Sequence, residues 1–252
     1  MDYGYKTDKG QIREQNEDRF LFCDKKDYVL LAVADGMGGH NAGELASTLA
    51  IEAVRSFHEQ TGFGGQVEEK LLQCVSNANQ RVYRHALSHP DSKGMGTTLT
   101  LAVLLDRRIV VAHVGDSRAY VINEGIRRLT VDHSYVEELR QAGKISDEEA
   151  KTHPRRNQIT RALGTELTVT ADIVQEELEA EAVVLLCSDG LTNMIEEKEI
   201  FDCVKNSATM QEAMNQLTKK ANENGGTDNI TVVGLKLGEN KQQTGLEGDQ
   251  QS

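Results

Sequence analysis

Four aspartates stand where an apolar segment of strand length ends or begins. Asp35 follows YVLLAVA and Asp189 follows VVLLCS. Asp116 closes IVVAHVG, and Asp228 precedes NITVV. A carboxylate at the mouth of a buried strand is unfavourable unless it is protonated, hydrogen-bonded or bound to a cation. One such aspartate is most often part of a simple turn, but four at strand boundaries indicate a shared site.

A shared site of this kind predicts a metal centre. Carboxylates brought to one edge of a fold repel each other and raise each other's pKa unless a cation compensates. Oxygen ligands without an obligatory His or Cys suit Mg²⁺ and Mn²⁺. Two such ions about 3.5–4 Å apart form the arrangement used for in-line attack on phosphorus. Arg13, in the segment RxxNED, would then bind the phosphate, because a guanidinium matches its oxygens in bidentate fashion.

The elements that must position these acids are strands and paired helices. Apolar runs rich in β-branched residues recur along the chain, and short polar turns join several of them, which favours antiparallel hairpins. Amphipathic helices are predicted in two pairs, AGELASTLAIEAVRSFH with VEEKLLQCVSNANQRVYRHALSH and IEEKEIFDCVKN with MQEAMNQLTKKANEN. The predicted fold class is therefore α+β, a sandwich of two antiparallel β-sheets flanked on both sides by pairs of α-helices.

The predicted domain organisation is simple. Residues 1–238 form a single domain, within which the polar segment 132–161 folds as short helices on the surface. The tail, residues 239–252, has too few apolar residues to offset the entropy of ordering and is expected to be disordered.

Charge and composition exclude several classes of function. The 252 residues carry 28 Lys and Arg against 40 Asp and Glu, a net charge of −12, which argues against binding to nucleic acid or to an anionic membrane. No stretch approaches the roughly 20 apolar residues of a membrane span, and the N-terminus lacks an apolar signal region, so a cytoplasmic location is expected. None of the four cysteines has an arginine six residues later, unlike the usual cysteine-dependent phosphatases.

Seven motifs occur in the order and spacing of the metal-dependent type 2C serine/threonine protein phosphatases. They are RxxNED, VADGMGGH followed by AGELAS, GMGTTL, VGDSRAY, DHS, LLCSDGLTN and GGTDNITVV. The chain resembles the compact bacterial form of that family from about residue 7 to residue 237. The resemblance implies hydrolysis of phosphoserine and phosphothreonine by a water activated at a two-metal (Mn²⁺/Mg²⁺) centre. It also implies phosphorylated proteins and a cognate bacterial Ser/Thr kinase as partners, and we expect a monomer because no long heptad run is present.

The resemblance assigns the core of the metal centre to four residues. Asp35 should bridge the two core ions, and Gly36 should bind one of them through its backbone carbonyl. Asp189 and Asp228 should complete the coordination of the other ion.

Further roles follow from the same resemblance. Glu17 and Asp18 should hold water bound to the metals, and Arg13 matches the arginine that binds phosphate. Asp116, together with Asp189, matches the place where many bacterial relatives bind a third, weaker ion. The segment 132–161 corresponds to the family's flap beside the active site.

Three questions stay open at the level of the sequence. Eukaryotic relatives often have a His directly after the Asp-Gly, proposed to protonate the leaving oxygen, whereas Met37 stands there in this chain. The candidates for the general acid are His40 and, as the preferred hypothesis, a water at the third ion. A binding module with the same fold is disfavoured because Asp35, Asp189 and Asp228 are all present. A phosphatase for small phosphate esters would use identical chemistry.

Overall fold

The computed structural model describes residues 1–39 and 42–238. The strands are β1 (Asp2–Asp8), β2 (Asp18–Asp24), β3 (Val29–Met37), β4 (Gly96–Thr97), β5 (Leu99–Leu105), β6 (Arg108–Val114), β7 (Arg118–Ile122), β8 (Ile126–Arg128), β9 (Asp172–Glu177), β10 (Val183–Cys187) and β11 (Ile230–Lys236). The helices are α1 (Ala42–Thr61), α2 (Val67–Ser88), α3 (Tyr135–Gln141), α4 (Asp147–Thr152), α5 (Asp189–Thr192), α6 (Glu197–Asn206) and α7 (Met210–Glu223).

The strands form two sheets that face each other. The order in the five-stranded sheet is β1-β11-β10-β7-β8. In the six-stranded sheet it is β2-β3-β5-β6-β9, with the short β4 paired to β3. In the described part of the chain, every pairing between named strands is antiparallel. This arrangement confirms the two antiparallel sheets that the hairpin pattern predicted.

The run VLLAVA of β3 is apolar at every position because both of its faces are buried. Successive side chains of a strand point to opposite faces of the sheet. Leu31 and Val33 therefore belong to the core between the two sheets, whereas Leu30 and Ala32 belong to the core beneath α1 and α2.

Each sheet has a helix pair on its outer face. Helix α2 buries Leu71, Val75, Ala78 and Val82, which recur every three or four residues, against the six-stranded sheet. Helices α6 and α7 pack on the outer face of the five-stranded sheet in the same way. The predicted α+β sandwich with flanking helix pairs is thus confirmed.

The segment 132–161 forms the two short helices α3 and α4, as predicted. Ser134 caps α3 by accepting the backbone N–H of Glu137, and Ser146 and Glu149 form a capping box at the start of α4. A bridge between Ser134 and Ile159 closes the base of the segment, which we call the flap.

Strand β1 and helix α5 are among the elements that were not predicted from the sequence. Strand β1 reads DYGYKTD, without an apolar run, because it lies at the edge of the five-stranded sheet and its exposed tyrosines rest on β2. The ring centroids of Tyr3 and Phe22 are 4.4 Å apart, and those of Tyr5 and Phe20 are 4.9 Å apart. Helix α5 is short and begins at Asp189, directly after the apolar run of β10.

Some predictions fall on residues outside the described ranges. The tail, residues 239–252, and His40 are among them. Within residues 1–39 and 42–238, none of the helices combines the length and apolar character that crossing a bilayer requires.

Candidate metal centre

The end of β3 and the start of β2 bring two carboxylates together. Asp18 and Asp35 are direct partners in the antiparallel pair β2–β3, so their side chains leave the same face of the sheet as close neighbours. Two like charges opposite each other are unfavourable in a ladder, so packing of the sheet alone does not explain this pair.

The five-stranded sheet supplies two more carboxylates at the same edge of the sandwich. Strand β10 ends just before Asp189, and the neighbouring antiparallel strand β11 begins just after Asp228. The carboxyl of Asp189 lies close enough to that of Asp35 for its charge to raise the Asp35 pKa. The facing edges of the two sheets therefore meet at these acids, as the sequence predicted.

Asp18 is the most buried member of the cluster, with 1% of its surface exposed. The Ser188 hydroxyl donates to its Oδ2 at 2.7 Å, while its buried Oδ1 has no hydrogen-bond partner within the described residues. Burial raises the pKa of Asp18 to about 7 against the opposing hydrogen bonds, and the charges of Asp189 and Asp228 add to the increase.

The carboxyl groups of Asp189 and Asp35, like that of Asp18, are only partly compensated by neighbouring groups. Asn193 donates to Oδ2 of Asp189 at 3.0 Å, but the buried Oδ1 of Asp189 has no partner within residues 1–39 and 42–238. Burial and Asp228 raise the pKa of Asp189 to about 6. Burial, followed by the charges of Asp18 and Asp189, raises the pKa of Asp35 well above its ordinary value.

Arg13 lies on the open side of the cluster, paired with Asp228. Its Nη2 is 2.8 Å from Oδ2 of Asp228, and its side chain is 48% exposed. From the sequence, Arg13 was expected to bind phosphate and Asp228 to bind metal, whereas in the structure the two side chains form an ion pair with each other. Glu17 lies nearby, and burial and the charge of Asp228 raise its pKa despite the opposing effect of Arg13.

Asp116 follows β6 and approaches the cluster from the side of Asp189. Burial comes first among the causes that raise its pKa well above the ordinary value, and Asp189 and Asp132 come next. The adjacent Gly115 has φ +113°, a left-handed conformation that favours glycine.

The glycines of both Asp-Gly pairs are required for close approach of the backbone. A Cβ on Gly36 would lie 2.0 Å from the carbonyl oxygen of Gly43, and a Cβ on Gly190 would lie 2.0 Å from that of Asn229. The acids that precede them are thereby held where the chain packs backbone against backbone.

Several polar residues that hold the site were not singled out from the sequence. Thr98 accepts the backbone N–H of Asp35 through its hydroxyl and donates its own N–H to the Asp35 carbonyl, both at 2.9 Å. The Asn229 side chain accepts the N–H of Glu17 at 2.8 Å and donates to two carbonyls of the loop that carries Arg13. Thr98, Ser188 and Asn229 all stood inside the motifs, but nothing in the sequence distinguished them from their neighbours.

The donor set fits hard divalent cations, although it is not preassembled. Within residues 1–39 and 42–238, no three His, Cys, Asp or Glu side chains form a ready-made set of ligands for one ion. Existing contacts occupy several of the acids, because Asp228 is paired with Arg13, Asp18 accepts the Ser188 hydroxyl and Asp189 accepts the Asn193 amide. The orphaned oxygens of Asp18 and Asp189 and the purely oxygen chemistry favour Mg²⁺ or Mn²⁺.

Comparison with known proteins assigns the family. Residues 9–228 match the family described as Protein phosphatase 2C. The chain therefore belongs to the protein phosphatase 2C family of metal-dependent phosphoprotein phosphatases, as its motifs predicted. It is 41% identical over 234 residues to the serine/threonine phosphatase stp of Listeria monocytogenes, with 91% of this chain and 93% of the relative covered. It is 37% identical over 244 residues to protein phosphatase PhpP of Streptococcus pneumoniae, with 95% and 98% covered.

Solved structures agree with this assignment. The serine/threonine phosphatase Stp1 from Staphylococcus aureus superimposes with a TM-score of 0.90 at 37% identity, covering 95% of this chain and 96% of that one. The catalytic domain of the phosphatase PstP, solved in complex with two manganese ions, gives a TM-score of 0.83 at 34% identity, with 93% and 97% covered.

Proposed function

We propose that this protein hydrolyses phosphoserine and phosphothreonine in proteins at a centre of two Mn²⁺ or Mg²⁺ ions. The observation that supports the proposal most directly is the cluster of Asp18, Asp35 and Asp189. Their charges raise one another's pKa, and two of their buried oxygens have no hydrogen-bond partner among the described residues. Such a cluster is unfavourable by itself, and divalent cations would turn the repulsion into attraction.

Each acid has a position from which to hold a cation. Asp35 lies between Asp18 of its own sheet and Asp189 of the facing sheet, which suits it to bridge two ions, with the Gly36 carbonyl as a further ligand. Asp189 and Asp228 would complete the second ion, and Glu17 and Asp18 would orient water around both. When bound, the ions would lower the pKa of the attacking water and offset the charge on the phosphoryl oxygens.

Arg13 is suited to bind the phosphate once Asp228 holds a cation. Its guanidinium is bonded only to Asp228 among the described residues and is half exposed. Losing that partner to a cation would leave two adjacent N–H groups free to donate to two phosphoryl oxygens. The Arg13–Asp228 pair would then hold both groups in position until substrate and metal arrive.

Asp116 would help to hold a third ion together with Asp189, on whose side it lies. A water held at this third position would be the proton donor to the leaving Ser or Thr oxygen, because Met37, which packs against Gly96, has a thioether without an acidic proton. Substituting Asp116 with Ala should slow turnover and leave the two core metals bound, which metal analysis of the purified variant would measure.

The wider setting follows from the family and the charge. The proposed partners are phosphorylated proteins and a bacterial Ser/Thr kinase whose action this phosphatase reverses. The proposal includes a monomer with one catalytic domain over residues 1–238, located in the cytoplasm. The hydrophobic cores between the sheets and beneath both helix pairs support the single domain. The net charge of −12 disfavours nucleic acid as a partner.

Hydrolysis of a phosphothreonine peptide tests the proposal. Phosphate release is measured with Mn²⁺, with Mg²⁺ and with chelator, for the wild type, for Asp189→Asn and for Asp202→Asn as a control on the exposed face of α6. We expect metal-dependent release that Asp189→Asn abolishes and Asp202→Asn leaves unchanged.

The same assay contains the opposing outcomes. A folded wild type without activity in either metal would favour a binding module. A small phosphate ester that competes with the peptide and is hydrolysed far more efficiently would assign the centre to small esters.

A further inference from the structure

The DHS motif at the base of the flap has no part in the proposed chemistry, yet its central histidine is buried beside the metal centre. His133 is 7% exposed, and its ring packs against that of His113 at an angle of 33°, with 4.8 Å between the ring centroids. It lies 18 residues after Gly115, the residue that directly precedes Asp116.

His133 and Gly115 are joined by two hydrogen bonds. The backbone N–H of Gly115 donates to Nδ1 of His133 at 3.0 Å. The backbone N–H of His133 donates to the carbonyl of Gly115 at 2.7 Å. A single residue of the flap base therefore satisfies both polar groups of the glycine, whose left-handed φ sets the direction of the next residue.

The bond to Gly115 fixes the tautomer of the imidazole. Because a backbone N–H can only donate, Nδ1 must be unprotonated, and the proton of the neutral ring must be on Nε2. Nε2 lies 3.2 Å from Oδ2 of Asp172, which is the acceptor for that proton. Nη1 of Arg161 lies closer to the same ring nitrogen, at 2.9 Å, but it has the Asp172 carboxylate and the Thr170 carbonyl as acceptors for its own N–H groups. Arg161 donates to Oδ1 of the same carboxylate at 2.7 Å, so Asp172 links the ring to the end of the flap.

The turn that His133 holds is also connected to Asp35. The Ser117 hydroxyl is 2.8 Å from that of Thr98, and Thr98 bonds the backbone of Asp35 on both sides. The turn Gly115–Ser117 is thus held at one end by His133 and at the other by the residue that holds Asp35. Asp116 stands between the two anchors.

We propose that His133 is a positioning residue that sets the direction of the Asp116 carboxylate by accepting the Gly115 N–H at Nδ1. The proposal rests on the proposed function in so far as Asp116 takes part in catalysis. The hydrogen bond itself can be tested in the absence of any metal or substrate.

Two substitutions separate the positioning role from the filling of space. In His133→Asn the carboxamide atoms lie where Nδ1 lies, because both are bonded to Cγ, so an acceptor for Gly115 remains. In His133→Gln the carboxamide lies where Nε2 lies, so the volume is better filled but the acceptor is lost. His153→Ala is the control, since His153 also accepts a backbone N–H at Nδ1, that of Arg155 at 3.1 Å, on the exposed part of the flap.

The first measurement is made on the metal-free protein by NMR. We expect the ¹⁵N shifts of His133 to show an unprotonated Nδ1 and a protonated Nε2 near neutral pH. Hydrogen exchange of the Gly115 amide should be slow in the wild type, in His133→Asn and in His153→Ala, and fast in His133→Gln. A protonated Nδ1 in the wild type, or equal protection of Gly115 in the Asn and Gln variants, would overturn the proposal.

The second measurement is hydrolysis of the phosphothreonine peptide over a series of Mn²⁺ concentrations. We expect His133→Gln to lose roughly 10- to 100-fold in kcat, the range found when groups that orient metal ligands are removed, with His133→Asn retaining most of the rate and His153→Ala all of it. Equal losses in His133→Asn and His133→Gln would contradict the positioning role. A wild type that does not hydrolyse the peptide would refute the proposed function, and the exchange and tautomer data would still decide the role of His133.

Discussion

Two groups of buried carboxylates in this molecule have opposite surroundings. Asp132, at the base of the flap, accepts a forked pair from Arg118, with Nε 3.0 Å from Oδ1 and Nη2 2.7 Å from Oδ2. Asp18, Asp35 and Asp189 instead face one another, and two of their buried oxygens have no partner among the described residues. The first arrangement is complete within the protein, whereas the second is complete only when a cation is added.

The difference indicates which acids serve the fold and which serve function. Burial by itself would lower the pKa of Arg118, but Asp132 outweighs it and keeps the guanidinium charged. In the cluster, burial and neighbouring charges act in the same direction and disfavour ionisation. A protein retains such unfavourable groups where they are needed for binding or catalysis.

The largest effect is expected from Asp35→Asn. Removing the proposed bridging ligand should lower the rate of peptide hydrolysis on the order of 10³-fold, corresponding to about 4 kcal/mol of transition-state stabilisation. In chelator the same variant should be more stable than the wild type by roughly 1–2 kcal/mol, because a carboxyl whose ionisation is disfavoured by burial and by Asp18 and Asp189 is replaced by a neutral amide. The peptide assay measures the loss of rate, and urea unfolding with and without Mn²⁺ measures the change in the free energy of unfolding.

The wild type supplies the comparison for that experiment. Mn²⁺ at 100 times its dissociation constant should stabilise the wild type by about 2.7 kcal/mol and should have much less effect on Asp35→Asn. Equal stabilisation of both proteins by Mn²⁺ would show that Asp35 does not hold the metal.

The next largest effect is expected at the ion pair between Arg118 and Asp132. Arg118→Met leaves Asp132, whose side chain is only 10% exposed, with the longer 3.5 Å contact to Arg128 in place of its forked pair. This loss should lower the free energy of unfolding by about 3–5 kcal/mol. The double variant Arg118→Met/Asp132→Leu should recover most of that loss, because no buried charge remains. Chemical denaturation of the three proteins measures the effect, and a double variant as unstable as the single one would contradict the explanation.

A third prediction concerns pH in the metal-free protein. The pKa of Asp18 is about 7 and that of Asp189 about 6, against roughly 3.9 in an unfolded chain. Between these values the folded protein binds more protons than the unfolded one, so the free energy of unfolding falls as pH rises.

The corresponding experiment is denaturation in chelator from about pH 5 to about pH 8, where we expect a decrease of a few kcal/mol. Asp18→Asn should flatten the profile, because one of the groups that take up protons is removed. If the free energy of unfolding of the wild type rises with pH over this range, the pKa values of Asp18 and Asp189 are not raised in the folded protein.

The sequence predicted the cluster because each of its acids borders a recognisable element. Asp35 and Asp189 follow long apolar runs, and an antiparallel arrangement brings such strand ends to a common edge. Strand β1 escaped prediction because an edge strand can be polar on its exposed positions. The helix at Asp189 escaped because it has only four residues.

The ion pairs that compensate the buried charges could not be predicted from the sequence. Arg13 and Asp228 are 215 residues apart, and Arg118 and Asp132 belong to segments with no shared pattern. Such pairs depend on the final packing of both sheets. The bond between His133 and Gly115 is of the same kind, since a histidine in a polar loop gives no indication of which backbone group it will meet.

The smallest effect is expected at a pair that is neither buried nor catalytic. Arg127 forms an ion pair with Glu176 while its side chain is 56% exposed. Arg127→Met should change the free energy of unfolding by less than about 1 kcal/mol, because water solvates the remaining carboxylate. The same substitution at Arg118 is expected to lower the free energy of unfolding several times more. Both arginines lie in strands of the five-stranded sheet, and both substitutions remove one positive charge. If denaturation gives equal losses for the two variants, burial of the partner carboxylate is not what separates a structural pair from a surface one, and the comparison with the metal centre loses its physical basis.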